Sequence, residues 1–287
     1  MPRVAIVTDS TASISADLAA AQGITVIPLH VIIDEDILPE GLPGGATPAL
    51  VAEALRARKS VSTSRPTPAA FLAAYDAAAA AGATEVVSIH LSSLMSGTFE
   101  SAEVAAREAS IPVYPVDSRQ VGIATGFAVL TAAELSESGL GGAQIAQRAR
   151  ARAEATTSLF YVDTLEYLRR GGRIGAAAAL LGGALAVKPL LQISEGEVSG
   201  LEKVRTSARA LARLADLAVE ASGTRPVDVG VAHLANQPAA DALARQLADR
   251  LAANREGRSV WCGEVGAALG AHVGPGMVAV CVSPRLR

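Results

Sequence analysis

The sequence is expected to fold as an α/β protein: a doubly wound, mainly parallel sheet domain followed by a smaller mixed α/β domain. Three features predict this. The first half repeats the order strand, polar turn, helix four times, as parallel strands joined by crossover helices do. Its strands, among them Val4-Ala5-Ile6-Val7 and Val86-Val87-Ser88-Ile89-His90-Leu91, are nearly continuous apolar runs, the pattern of strands covered on both faces. Beyond residue 156 the pattern changes to a hairpin and then mixed strands and helices. A chain of 287 residues is comfortable for two cores, so the boundary is placed there, giving domains 1–156 and 157–287.

The first strand ends at Thr8-Asp9-Ser10-Thr11, and a helix over residues 15–22 is closed by Gly23. Residues 24–33 read as one strand interrupted at Pro28. Residues 34–47, rich in acid, Pro and Gly, read as a long loop, and Thr47-Pro48 starts a helix over 48–58 with proline at its first position. The run Val61-Ser62-Thr63-Ser64-Arg65-Pro66-Thr67-Pro68 reads as a rigid loop into a helix over 68–81. It would share a side of the parallel sheet with the turn at 92–98 if both precede helices of that sheet. A helix over 97–109, a strand with edge character around Pro112-Val113-Tyr114-Pro115-Val116, an apolar helix over 122–136 and a helix carrying Arg148, Arg150 and Arg152 complete the first half.

In the second half, residues 163–175 read as a short capped helix ending in a glycine turn. Residues 190–193 and 198–204, joined through Glu195-Gly196, read as a β-hairpin. Helices over 207–221 and 238–253 alternate with strands over 227–232, near 259–262 and over 277–282.

Composition excludes several function classes. The formal charge is −3, from 25 Lys and Arg against 28 Asp and Glu, so no basic excess exists to bind nucleic acid. Aromatic residues are 3% of the chain, which leaves few rings for stacking bases. No Gly-x-Gly-x-x-Gly follows the first strand, no Walker loop is present, and His30, His90, His233 and His272 are scattered without ligand spacing. No cofactor and no metal are therefore expected. Cys262 and Cys281 read as reduced and buried in a cytoplasmic protein. The longest uncharged apolar stretch, residues 174–187, contains three glycines and falls short of the roughly 20 residues that span a bilayer.

The stretch that offers chemistry is Ser92-Ser93-Leu94-Met95-Ser96-Gly97-Thr98, between a strand and a helix. Hydroxyls and free backbone N–H groups at a helix start can bind an anionic head group; Ser96 or Thr98 can equally be an ordinary N-cap. Ser96-Gly97 also sits where a hydrolase nucleophile would, but without the preceding glycine of a Gly-x-Ser-x-Gly elbow. A serine esterase using Ser96 with His90 or His272 is the competing reading, and a binder of another anionic lipid or small carboxylate is a third. His272, in the glycine-dense loop 270–276, and Arg173, beside Gly172, each read equally as anion ligands or as ordinary satisfied side chains.

Five segments in order, spread over nearly the whole chain, resemble the DegV family of bacterial fatty-acid-binding proteins, the acyl-carrier subunits of the fatty acid kinase system. They are Val7-Thr8-Asp9-Ser10-Thr11, Thr63-Ser64-Arg65-Pro66-Thr67, Ser92 through Phe99, Leu165 through Gly175, and His272-Val273-Gly274-Pro275-Gly276. The resemblance implies a long-chain fatty acid in an internal apolar tunnel, its carboxylate presented to a partner ATP-dependent kinase that makes acyl phosphate. It implies Thr63 and Ser96 as carboxylate ligands with Ser64 and Ser93 as neighbours, and Arg173 and His272 as the supporting shell. Residues 176–185 would supply tunnel wall or plain core. The sequence departs from the family pattern at Arg65, where glutamine is expected, and at Phe99, where tyrosine is more usual.

Overall fold

A computed structural model describes residues 2–180 and 188–285. The first sheet has four parallel strands in the order β2-β1-β6-β7, with β1 Val4–Asp9, β2 Ile24–Ile27, β6 Glu85–His90 and β7 Val113–Asp117. Its central strands are buried on both faces, as their apolar runs demand. Phe71 and Tyr75 of helix α3 (Pro68–Ala80) and Ala102 and Ala105 of α4 (Thr98–Glu108) cover one face, against Val7 and Val86. On the other face Ile6, Val87 and Ile89 meet α5 (Ile123–Ser136) and α6 (Gly142–Ala155) through alanines and Ile145. Such small side chains let helices approach a sheet closely, which explains how so few aromatic residues suffice.

The second sheet is larger and mixed, in the order β10-β9-β8-β13-β11-β12. It begins with β8 (Thr157–Tyr161) directly after α6 and continues with β9 (Lys188–Ser194), β10 (Glu197–Val204), β11 (Val227–His233), β12 (Trp261–Glu264) and β13 (Val278–Pro284). Helices α8 (Ser207–Ser222) and α9 (Gln237–Arg250) seal one face through Leu214, Leu243 and Leu247. The hairpin β9–β10 turns through Glu195 and Gly196 at φ 52° and 86°, the two left-handed positions that a two-residue type I′ turn requires. The buried Arg152 of α6 joins the two halves, donating from Nε to Ser283 Oγ at 3.0 Å and pairing with Asp228 of β11.

Several expectations need correction. Residues 24–33 are two strands in different sheets: after Pro28, which has no N–H for the ladder, the chain leaves the parallel sheet and forms β3 (His30–Ile33). The expected loop 34–47 contains β4 (Asp36–Pro39), and the expected loop 61–68 begins with β5 (Val61–Ser64). These three strands make a separate antiparallel sheet, β4-β3-β5. It packs against α2 (Pro48–Arg56) and against α11 (Ala267–Val273) from the far end of the chain. Thr63 is therefore not on a turn of the parallel sheet. The expected helix 238–253 is broken at Leu251 into α9 and the short α10 (Ala252–Arg255). His272 lies on the last turn of α11, not in a loop, and Cys262 is only half-buried, whereas Cys281 is buried. Of residues 176–185, Ala177 is packed into the core with Leu168 and Val198; residues 181–185, like the rest of 181–187, lie outside the described residues.

Candidate functional site

β1 and β6 are neighbours, yet the chain leaves β1 toward β2 on one side and β6 toward β7 on the other. The loops at their carboxyl ends consequently diverge and open a crevice, the place where open α/β sheets bind ligands. Here the crevice is roofed. The face of the second sheet opposite α8 and α9, the hairpin β9–β10, the small sheet and α11 close over it, leaving a cavity with about 940 Å³ of atom-free space, mouth included.

The floor comes from residues in register across the second sheet, most of them small. Phe160, Ala279 and Ala232 form one row over β8, β13 and β11, and Ser158, Cys281 and Gly230 form the next. All of these except Gly230 line the cavity; at Gly230 a side chain would meet Ile123 Cγ2 at 2.9 Å, so Ile123 of α5 fills that place. Leu29, Leu91, Val121, Ile193 and Val198 complete an almost wholly aliphatic wall.

Polar groups from four elements gather at the cavity: Thr63 of β5, Ser96 before α4, Arg173 after helix α7 (Glu166–Arg170), and His272 of α11. Thr63 Oγ1 lies 2.9 Å from His272 Nε2. The other ring nitrogen, Nδ1, has no hydrogen-bond partner among the described residues. It sits over Gly171, where a Cβ would lie 2.2 Å from it. Burial, and secondarily the charge of Arg173, lower the His272 pKa to about 4, so the ring is neutral at neutral pH. A buried unpaired N–H is the costlier orphan, which places the proton on Nε2. His272 then donates to Thr63 Oγ1, and the Thr63 hydroxyl proton is free to point at a ligand.

Ser96 Oγ shares a 2.9 Å hydrogen bond with Thr98 Oγ1 and accepts from the Thr98 N–H at 3.3 Å, while Gly97 takes the N-cap position without a side-chain bond. Arg173 Nε donates to the Met95 carbonyl at 3.0 Å and Nη1 to the Gly171 carbonyl at 2.6 Å. It thus braces the Ser96 turn and brings a positive charge beside it. Ser64 and Ser93 do not line the cavity. Ser64 is exposed, because neighbours on a strand face opposite sides; Ser93 Oγ donates to Asp117 Oδ2 at 2.6 Å. Neither histidine of the esterase reading bonds Ser96: His90 is held by Asp9 and Ser88, and His272 by Thr63.

A family model described as an uncharacterised protein of the DegV family matches residues 3–285. The chain belongs to the DegV family. It is 48% identical over 282 residues to a DegV domain-containing protein of Streptomyces coelicolor, covering 98% of this chain and 99% of that one. Among solved structures it is similar to a DegV family protein of Thermus thermophilus, described as fatty acid binding, at 30% identity and TM-score 0.90, covering 99% and 100% of the two chains. It is equally similar to DegV of Bacillus subtilis, described as a fatty acid binding protein, at 30% identity, TM-score 0.89 and the same coverage.

In this DegV chain two residues shape the site without having been singled out for that role. Arg65 is one: its guanidinium lies over Gly97 and donates to the Gly97 carbonyl at 3.1 Å, tying the strand end beyond Thr63 to the turn bearing Ser96. Glu40 is the other. It is buried, accepts from Ser10 Oγ and from the Ala268 N–H (2.9 Å), and so fixes the start of α11, the helix that carries His272. Desolvation pushes its carboxyl above the usual carboxylate range. Only an acid placed outside any obvious helix pointed to Glu40 in the sequence. No helix among the described residues is long and apolar enough to cross a membrane.

The depressed His272 pKa has a measurable consequence. Between pH 6.5, the ordinary value, and about 4, the unfolded chain binds a proton that the folded chain refuses. Stability is complete above that window and falls as pH drops through it, by on the order of 3 kcal/mol at its lower end. Chemical denaturation of His272→Gln across this range is expected to give a flatter pH profile than the parent. Parallel profiles would show that His272 is not buried in its neutral form.

Proposed function

We propose that this protein binds one long-chain fatty acid in the cavity, with Thr63 and Ser96 as the carboxylate ligands and Arg173 and His272 supporting them. It then presents the carboxylate, in the cytoplasm, to a separate ATP-dependent kinase that forms acyl phosphate. The observation that carries this reading is the lining of the cavity: mainly apolar side chains, to which four separate elements bring Thr63, Ser96, Arg173 and His272. Burying a methylene contributes about 0.8 kcal/mol, so the chain supplies most of the affinity and the head group fixes register. Hydroxyl ligands also suit the next step. They hold a carboxylate without the bidentate arginine fork that would occupy both oxygens, which leaves an oxygen free to attack the γ-phosphate of ATP. The chain is divided at 156/157, residues 1–156 supplying Thr63 and Ser96, and residues 157–287 supplying most of the acyl-chain wall with Arg173 and His272.

Similarity to the fatty-acid-binding structures from Thermus thermophilus and Bacillus subtilis supports the same ligand class. Mass spectrometry of lipid extracted from the purified protein is expected to show one fatty acid per chain, and delipidated protein should take up oleate or palmitate. A delipidated sample that takes up neither refutes the proposal. Formation of acyl phosphate only when a kinase partner and ATP are added tests the presentation step.

A further inference from the structure

We infer that Asp9 and His90 are positioning residues for the carboxylate end of the cavity, a role that rests on the fatty-acid reading above. They are the last residues of β1 and β6, side by side where the two strands diverge. Both are fully buried, in a place where an aliphatic pair would fill space at far lower desolvation cost.

The Asp9 carboxylate accepts four hydrogen bonds. Its Oδ1 takes Thr11 N–H (3.0 Å) and Thr11 Oγ1–H (2.5 Å); its Oδ2 takes Leu91 N–H (3.2 Å) and His90 Nδ1–H (2.9 Å). Thr11 and Leu91 both line the cavity, and Leu91 opens the turn that leads to Ser96. One carboxylate therefore pins the loops leaving both strands of the crevice. His90 is fixed in turn. Tyr75 OH donates to Ser88 Oγ (2.9 Å), which leaves the Ser88 proton for His90 Nε2 (2.7 Å) and puts the imidazole proton on Nδ1, facing Asp9. Phe71 packs edge-on against the ring at 4.9 Å. Every donor and acceptor in this chain finds a partner, so it has one low-energy arrangement.

Much of the cavity lining comes from β8, β13 and α11, and none of the hydrogen bonds of Asp9 goes to those elements. Loosening the clamp should hence move the Ser96 hydroxyl and spare the tail contacts, an effect that a general loss of core packing would not produce. The test compares binding of oleate with binding of oleyl alcohol, which has the same tail and no carboxylate, alongside thermal melts. His90→Leu, which removes the donor to Asp9, is expected to cut the preference for oleate over the alcohol about tenfold, as loss of a well-aligned charged hydrogen bond would. His90→Asn, whose amide can still reach Asp9, should restore it to within about threefold of the parent. Asp9→Asn, an isosteric change that sets an amide NH2 against an N–H donor, is expected to act like His90→Leu and serves if that variant does not fold. Equal losses for acid and alcohol, or an unchanged preference in His90→Leu or Asp9→Asn, would overturn the inference. A parent protein that binds neither ligand would instead refute the fatty-acid reading itself.

Discussion

Replacing Ala279 with phenylalanine is expected to abolish binding of long-chain fatty acids while leaving the protein folded. Ala279 lies on β13, flanked in register by Phe160 and Ala232, and all three face the cavity. It keeps partial exposure although β13 is an inner strand of a six-stranded sheet, because its methyl lines the cavity as well as packing against the core beside it. A phenyl ring built there would occupy the path of about six chain carbons. At about 0.8 kcal/mol per methylene this removes roughly 5 kcal/mol of affinity, more than a thousandfold. In a close-packed core the same substitution would cost about 1–3 kcal/mol of stability through overpacking, whereas filling a void leaves the ligand-free protein at least as stable. Calorimetric titration with palmitate and with a short acid such as octanoate separates the outcomes. The short acid should lose much less. Parental affinity for palmitate in the folded variant would place the acyl chain elsewhere.

The parallel sheet was legible in the sequence because its strands must be apolar on both faces, which turns Val4–Asp9 and Glu85–His90 into unmistakable runs. The hairpin β9–β10 was legible for a different reason, the Glu195-Gly196 pair at its turn. The small sheet was hidden. β5 reads Val61-Ser62-Thr63-Ser64, three hydroxyl residues in four, and hydroxyls of this kind are equally at home in loops. Only pairing with β3 and packing under α11, about 200 residues away in sequence, make it a strand. Strand alternation then separates Thr63 from its neighbour Ser64, one toward His272 and the other toward solvent.

The convergence of Thr63, Ser96, Arg173 and His272 was not readable from spacing either, since it depends on three sheets meeting at one crevice; the ordered family motifs carried it. The bracing has no local signal in the sequence. Arg65 over Gly97 and Glu40 beneath α11 act through contacts between segments that are distant in sequence. Ser93 has a local partner of its own: Asp117, at the end of β7, accepts from both its N–H and its hydroxyl.

Removing the two head-group hydroxyls together, Thr63→Val with Ser96→Ala, is the complementary experiment. Thr63→Val keeps the β-branched shape that suits β5, and Ser96→Ala leaves the N-cap at Gly97, which uses no side-chain bond, so the fold should survive. The His272 Nε2–H then loses its acceptor, adding a buried unpaired donor to two lost contacts. Hydrogen bonds to charged groups are worth about 1.5–3 kcal/mol each, which predicts a loss of affinity for oleate on the order of a hundredfold or more. Oleyl alcohol, held by its tail, should lose far less. Acyl phosphate formation with the proposed kinase partner should fall further than binding does, because a carboxylate out of register cannot reach the phosphate even when the tail is seated. Undiminished oleate affinity in the folded double variant would remove Thr63 and Ser96 from the site, and with them the case that this end of the cavity receives the carboxylate.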